Sequence, residues 1–442
     1  MADSLARTLG ARDLTLLVIG NVIGSGIFLV PSSVLAQSGE SVPIATTVWL
    51  VGGVLALFGA LSYGELGAMD GGGRAGGLYA YIRDGFGRFP AFLYGWTLFF
   101  VIGAGTVATL AVAAANYMTQ FTPLTQTQKN IVAVTLIVLM MVINVRGTRG
   151  SANVQNAATA VKVLAILGIS AAFFVLGKGA SAVPVAHTIT PASLSSIGLS
   201  IISVSWAYEG WQYVTFLSAE AKDPQRSLPR AITLGTLSLI TLYLIANFAY
   251  LAALGTARVA QSERVAGEAV AAVFGPAAGW LVAAIIIVSM YSAAHATVIT
   301  VPRVYFAMAR DGLFFRRLAE VHPRYNTPAI AIVTSCVWSM VLAVTGTFQQ
   351  LLTYVVFIGW IFYALGAAAV IALRIKRPDA ERPFRVPGYP LTPLLFVLAA
   401  AVIVFNTIIT QPKQAAIGIA VVLAGAPAYL IWQRRLNTVP VP

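Results

Sequence analysis

Residues 20–28 read Gly20-Asn21-Val22-Ile23-Gly24-Ser25-Gly26-Ile27-Phe28. From residue 14 to residue 39 no side chain is charged, so the segment is apolar and long enough to cross a bilayer. Yet three glycines and a serine occupy its middle, where a continuous span carries leucine. Unwound backbone in hydrocarbon is costly unless protein, water or a ligand satisfies its polar groups. The stretch therefore predicts a membrane helix broken halfway to form a binding site. A Gly-x-Gly pair also suits close helix packing, and the choice between the two rests on whether a second break exists.

The rest of the chain fits a membrane setting. It has 442 residues, 58% of them hydrophobic and only 10% charged, with mean hydropathy +0.82. That balance excludes a soluble globular protein. Charge-free runs recur from end to end and predict twelve spans, at about 14–36, 43–67, 88–118, 127–145, 150–176, 194–217, 229–253, 276–308, 328–346, 350–374, 391–410 and 414–432. With the N-terminus inside, 22 of the 28 Lys and Arg fall in cytoplasmic segments and 5 outside, and Lys162 lies within a span. This split obeys the positive-inside rule and places both termini in the cytoplasm. The net charge of +13 is thus topological and does not point to nucleic acid. A cell membrane, of the bacterial inner kind, is the expected location, with the lipid bilayer as partner.

Several chemistries are excluded. Cys336 is the only cysteine, so no disulfide, no cysteine metal cluster and no disulfide-linked partner subunit is expected. His187, His295 and His322 have no ligand spacing to one another, and no metal or other cofactor is expected. No P-loop is present, which argues against an ATP-driven pump. No nucleophile–base constellation appears, so no catalytic residue is assigned and an enzyme is disfavoured. Residues 1–13 lack the apolar core of a signal peptide, so the first span should serve as the insertion signal.

The reading is a single transmembrane domain over residues 1–442: a core at about 14–374 and two additional helices at about 391–432. A glycine-rich loop (71–77) precedes a short interfacial helix near residues 78–83. Residues 262–269 are amphipathic enough to lie over an outer vestibule, and a proline-rich connector fills 377–390. The second break appears in span six, at Trp206-Ala207-Tyr208-Glu209-Gly210-Trp211. Spans one and six stand five apart, each first in a block of five. Matching discontinuous helices mark an inverted five-plus-five repeat, although the two blocks share no literal sequence.

The chemistry follows from the broken ends. Beyond the first break, the N–H groups near Ser25, Gly26 and Ile27 lack intrahelical acceptors and carry the positive end of the helix dipole. A carboxylate suits them. Carbonyls near Val22 and Ile23, with Trp206, Ala207 and Glu209 in span six, suit an ammonium group. Together these predict a receptor for an amino acid zwitterion, with Gly24 leaving room for it.

The motif at 20–28 resembles the first-span signature of the amino acid–polyamine–organocation superfamily. Residues 206–211, the run Glu220–Arg230, Asn153-Val154-Gln155-Asn156 with Lys162, Ser62–Gly67 and Ala309–Phe314 are similar to its L-type amino acid transporter branch and bacterial relatives. The resemblance implies an all-α, five-plus-five fold, sodium-independent transport or exchange, the cradle described above and an aromatic gate at Trp206. It also implies that Lys162 sets its ammonium where relatives hold a sodium ion, against spans one and eight.

Other roles stay open. An intramembrane lysine is a functional candidate by default, but Lys162 also fits a neutral structural group. Glu209 fits a site for a cationic side chain, a substrate ammonium or a coupling proton, and equally a carboxylate paired with a neighbouring span; His295 is its expected partner if it has one. Glu65 fits either an intracellular gate paired with arginines or a solvated helix-end charge. Neutral L-amino acids are the first substrate choice. The rivals are a proton-coupled or cationic amino-acid or polyamine carrier and, from another class, a membrane-embedded sensor or channel.

Overall fold

The computed structural model describes residues 5–69, 73–179, 191–346 and 348–438. Gly71 and Gly72 of the glycine-rich loop, and both chain ends, lie outside the described residues. Helix accounts for every regular element described, apart from one isolated β-bridge between Leu9 and Ala221. Since no water is available in the bilayer core, backbone polar groups there must be paired within each segment, which helices alone achieve without an edge.

The chain enters the membrane at α1 (Ala11–Val22), whose start is fixed by the Asp13 carboxylate accepting the Gly10 N–H at 2.9 Å. It resumes at α2 (Gly26–Gln37) with a bend of 51° between the two. Then follow α3 (Val42–Ala68), the short α4 (Leu78–Phe86) and α5 (Arg88–Thr97). A π-helical turn (Leu98–Gly103) joins α5 to α6 (Ala104–Met118), and α7 (Gln126–Val145) and α8 (Thr148–Leu176) complete the first half.

A second interruption follows. Helix α9 (Pro191–Ala207) stops, and a 3-10 helix (Trp211–Glu220) takes over after a turn. Next come α10 (Pro224–Leu254), the short α11 (Thr256–Gln261) and α12 (Val265–Phe274), α13 (Gly279–Thr300) and α14 (Pro302–Arg310). The last elements are α15 (Ala329–Thr345), α16 (Phe348–Lys376), α17 (Leu391–Thr410) and α18 (Pro412–Thr438). Among the described residues nine helices are long and apolar enough to cross a membrane, or ten with α1–α2 counted as one bent span. The expected twelve exceed this because α15 has only 17 residues and α9 ends at the second break.

Sorting of side chains explains the packing. Leucines, valines and phenylalanines on the outer faces of α8 and α17, such as Leu164, Val175, Val402 and Phe405, are exposed and suit hydrocarbon. Polar groups turn inward instead: Ser151, Gln155, Thr159 and Lys162 of α8 are all fully buried. Their spacing of four, four and three places them on one helix face, which packs on α1 and α13. The broken α1 is thereby enclosed by α8, α10 and α13.

Candidate functional site

Helix α1 ends because Gly24 cannot continue its ladder: the Gly24 N–H turns back to Val22 O at 2.8 Å, while Ile23 leaves helical torsions (φ −70°, ψ 88°). The carbonyls released by this turn find specific donors. Lys162 Nζ lies 2.6 Å from Gly20 O and 2.7 Å from Ile23 O. Ser289 Oγ of α13 lies 2.9 Å from Ile23 O and 3.0 Å from Gly24 O. On the far side of the gap, Ser25 caps α2 without a side-chain hydrogen bond. The N–H groups of Ser25, Gly26 and Ile27 meet no backbone carbonyl outside their own helix among the described residues. They form the positive end of a helix dipole.

The second break is built from a glycine. Gly210 takes φ +118°, a left-handed torsion that side-chain-bearing residues rarely adopt. Its carbonyl accepts Asn21 Nδ2 at 2.7 Å, and its N–H donates to Gln212 Oε1 at 3.2 Å. Tyr243 of α10 reaches both interruptions, its hydroxyl 3.2 Å from Val22 O and 3.0 Å from Ala207 O. Contact between the broken helices is closer still at Gly26. A methyl group placed there would lie 2.9 Å from both Cα and Cβ of Ala207. The two breaks therefore touch.

Between them lies a cavity of about 80 Å³. Seven of the predicted residues line it: Val22, Gly24, Ser25, Gly26, Trp206, Ala207 and Glu209. Ile23 and Ile27 do not. Both side chains are fully buried, and the Ile23 carbonyl, expected to be open to a substrate ammonium, is taken by Lys162 and Ser289. The remaining lining comes from Asn21, Gly210 and Tyr213, from Thr106, Thr109 and Leu110 on α6, and from Ala293 and Thr297 on α13. Sequence reasoning passed over the α6 wall, although Thr106 and Thr109, three apart and so on one helix face, were a usable signal. Tyr243 and Ser289 carried no such signal, because tyrosine and serine recur throughout the spans.

The charged candidates resolve differently. Glu209 accepts a hydrogen bond from the Tyr363 hydroxyl of α16 at 2.6 Å. It makes no ion pair among the described residues. His295 is not its partner: that ring stacks on Tyr291, and its Nδ1 lies 3.3 Å from Gln155 Oε1. Spacing along the chain could not show that α13 turns His295 toward α8. Glu65 is fully buried rather than solvated. Arg374 donates to its two oxygens at 2.9 and 2.7 Å, the Val386 N–H adds a bond of 2.7 Å, and Arg382 stands 3.4 Å away. The carboxylate thus fastens α3 to α16 and to the proline-rich connector. Arg303 of α14 likewise holds Glu220 at 2.6 Å and Thr148 at 3.0 Å, all three side chains buried.

The sequence model for amino acid permease matches residues 9–430. This chain belongs to the amino acid permease family. The permease is 32% identical to the serine/threonine exchanger SteT of Bacillus subtilis, over 98% of each chain. It is 31% identical to the mouse large neutral amino acids transporter small subunit 2, covering 98% of this chain and 82% of that one. Against the human cystine/glutamate transporter it is 31% identical, with 96% and 86% covered. The superfamily resemblance carried by the motifs at 20–28 and 206–211 therefore holds, and the permease is a multi-pass membrane protein of a transporter family.

Proposed function

We propose that this permease is a sodium-independent exchanger of small neutral L-amino acids that works by alternating access. One observation carries the reading: two interrupted helices meet at Gly26 and Ala207 around a small cavity, with helix N–H groups on one side. The substrate carboxylate sits at the N-terminus of α2, on Ser25 and Gly26 N–H. The substrate ammonium faces the Val22 and Ala207 end of the gap. Lys162 stands in for a bound cation, since it already joins the Gly20 and Ile23 carbonyls. Size supports small substrates, because the cavity measures only about 80 Å³.

In the full architecture α1–α2, α3, α5–α6, α7 and α8 form the first block of five spans. The second comprises α9 with its 3-10 continuation, α10, α13–α14, α15 and α16. Helices α17 and α18 complete twelve, both termini facing the cytoplasm of a bacterial cell. Trp206 closes over bound substrate, and the Glu65 and Glu220 ion pairs close the inner side. Rocking of one bundle against the other then exchanges access. The relatives named above are themselves exchangers or transporters of amino acids by name.

Counterflow in proteoliposomes tests this. Internal alanine or serine should accelerate uptake of the labelled amino acid without a sodium gradient, and saturably. The same ligands should raise the melting temperature of purified protein, since a ligand that favours the folded form stabilises it. Linear, non-saturating flux would instead indicate a channel.

A second reading rests on Glu209, a cavity carboxylate whose hydrogen-bond partner among the described residues is the neutral Tyr363. A cationic side chain or a coupled proton would neutralise it. Glu209→Gln keeps the hydrogen bond to Tyr363 and removes the charge. Under neutral exchange, alanine transport in this variant stays within about threefold of wild type, and arginine is a poor substrate of both. Arginine uptake by wild type that vanishes in Glu209→Gln would replace the neutral reading with the cationic one.

A further inference from the structure

At the end of the bundle from which α1 departs lies a second cavity, of about 760 Å³, which shares no lining residue with the first. Four arginines reach it from four separate segments: Arg7 ahead of α1, Arg74 in the loop before α4, Arg83 on α4 and Arg310 at the end of α14. Against them stands one acid among the described lining residues, Asp311. That carboxylate is already engaged, accepting from Arg83 Nη1 at 2.5 Å and from the Tyr79 hydroxyl at 2.8 Å. Asp84, which pairs with Arg74 at 2.9 Å and Arg83 at 3.1 Å, does not line the cavity. Even with Asp84 counted, positive charge exceeds negative among the described residues here. The bias of Lys and Arg toward one face of a membrane does not require this convergence, since charges scattered along the loops satisfy it equally.

The backbone brings these groups together. A methyl group placed on Gly73 would lie 3.0 Å from Arg7 Nη2, so the loop main chain lies against that guanidinium. The Gly73 N–H donates to Ser218 Oγ at 2.9 Å, which ties the loop to the 3-10 helix. Arg7 is placed in turn by Leu9, whose N–H donates to Glu220 O at 3.0 Å and whose carbonyl accepts the Lys222 N–H at 2.9 Å. Ala219 also lines the cavity. The cavity therefore sits on the joint between the leading end of the first broken helix and the trailing end of the second.

We propose that this cavity binds a phosphate-bearing anion, which ties the segment ahead of α1 to α14 and slows opening on that side. Phosphate oxygens accept from several guanidinium forks at once, so a multiply charged phosphate suits arginines that converge from different directions. An anion held by Arg7 and Arg310 together keeps the joint between the two broken helices closed. The effect on exchange rests on the alternating-access reading above, which places this face in the cytoplasm; the binding does not depend on it.

Pyrophosphate is the probe for binding, with chloride at matched ionic strength as the reference. Pyrophosphate should raise the melting temperature of the purified full chain above that reference. Replacing Arg7→Gln and Arg310→Gln together should weaken this binding by about tenfold or more, while stabilisation by alanine stays as in wild type. Should the double variant fail to fold, Arg7→Gln alone reads the same loss in smaller measure. In proteoliposomes of neutral phosphatidylcholine, pyrophosphate on both faces should slow wild-type counterflow severalfold and leave the variant unaffected. Repeating this in phosphatidylglycerol distinguishes the sources of phosphate. If that lipid alone slows wild type but not the variant, and removes the response to pyrophosphate, the ligand is a lipid headgroup; if the response persists, it is a soluble phosphate compound. No rise in melting temperature above the chloride reference overturns the site, and an equal rise in the variant overturns its assignment to this cavity. Binding that leaves counterflow unchanged overturns the gating role. Absence of any amino acid exchange by wild type overturns the exchange reading and leaves the binding result standing.

Discussion

Lys162→Ala folds and inserts but loses exchange. Its ammonium is fully buried and bonded to two carbonyls that the first break strips of helical partners. Removing it affects them unequally. Ile23 O retains the Ser289 hydroxyl at 2.9 Å, whereas Gly20 O loses its side-chain donor. Gly24 N–H cannot replace it, being committed to Val22 O. An orphaned buried carbonyl costs about 1–3 kcal/mol, a penalty borne at the break that shapes the cavity. At about 1.4 kcal/mol per factor of ten, a loss at the upper end lowers the exchange rate on the order of a hundredfold. Lys162→Met separates the causes, for it preserves most of the side-chain volume and should be equally inactive. Initial uptake rates, alongside a monodisperse elution profile, read the result. Wild-type rates in either variant would remove the cation-substitute role.

Gly26→Ala has the second large effect, and Gly24→Ala is its control. The methyl added at Gly26 meets Ala207 at 2.9 Å, and the atoms it meets are backbone Cα and its attached Cβ, which cannot swing aside. Either α2 or the second break must shift. Overpacking of this kind costs about 1–3 kcal/mol, so a lowered melting temperature and near-complete loss of exchange are expected together. At Gly24 the nearest atoms stand 3.9–4.0 Å away, an ordinary contact, so the protein should melt as wild type. That glycine lines the cavity, however, and the methyl takes space from the substrate. A raised KM with little change in kcat is the expected signature. If Gly26→Ala matched wild type in melting and exchange, the two breaks would not be in contact, and the site would have to lie elsewhere.

Both glycines were legible as a break once a second interruption stood at 206–211, because close helix packing accounts for one Gly-x-Gly pair but not for two matched breaks. The break at 206–211 was legible for a similar reason, and charge asymmetry marked Lys162 as exceptional. What the sequence concealed was direction. Ile23 and Ile27 belong to the same motif as Gly24 and Ser25, yet their side chains pack away from the cavity because successive residues of a turn face different ways. His295 illustrates the limit: its distance from Glu209 along the chain says nothing of which side of α13 it occupies. Hydroxyl bridges such as Tyr243 between Val22 and Ala207 depend on three helices at once, so no local pattern announces them. The expected spans at 194–217 and 328–346 fall on α9 with its 3-10 continuation and on α15, each helix too short by itself to meet a length of 18 residues.

One irregularity lies outside both breaks. The π-helical turn at Leu98–Gly103 carries an extra residue relative to an α-helical ladder, and its released Leu98 and Phe100 carbonyls are taken by the Tyr305 hydroxyl and the Trp338 indole, each at 3.0 Å. One residue corresponds to about 100° of helix rotation. Excising a single amino acid from this turn would restore an α-helical ladder between α5 and α6 and rotate the two relative to each other by that angle, carrying Thr106 and Thr109 away from the cavity while hydropathy stayed almost unaltered. Substrate choice in this scaffold is therefore open to change by a one-codon deletion, a route that comparisons of side chains at aligned positions would overlook.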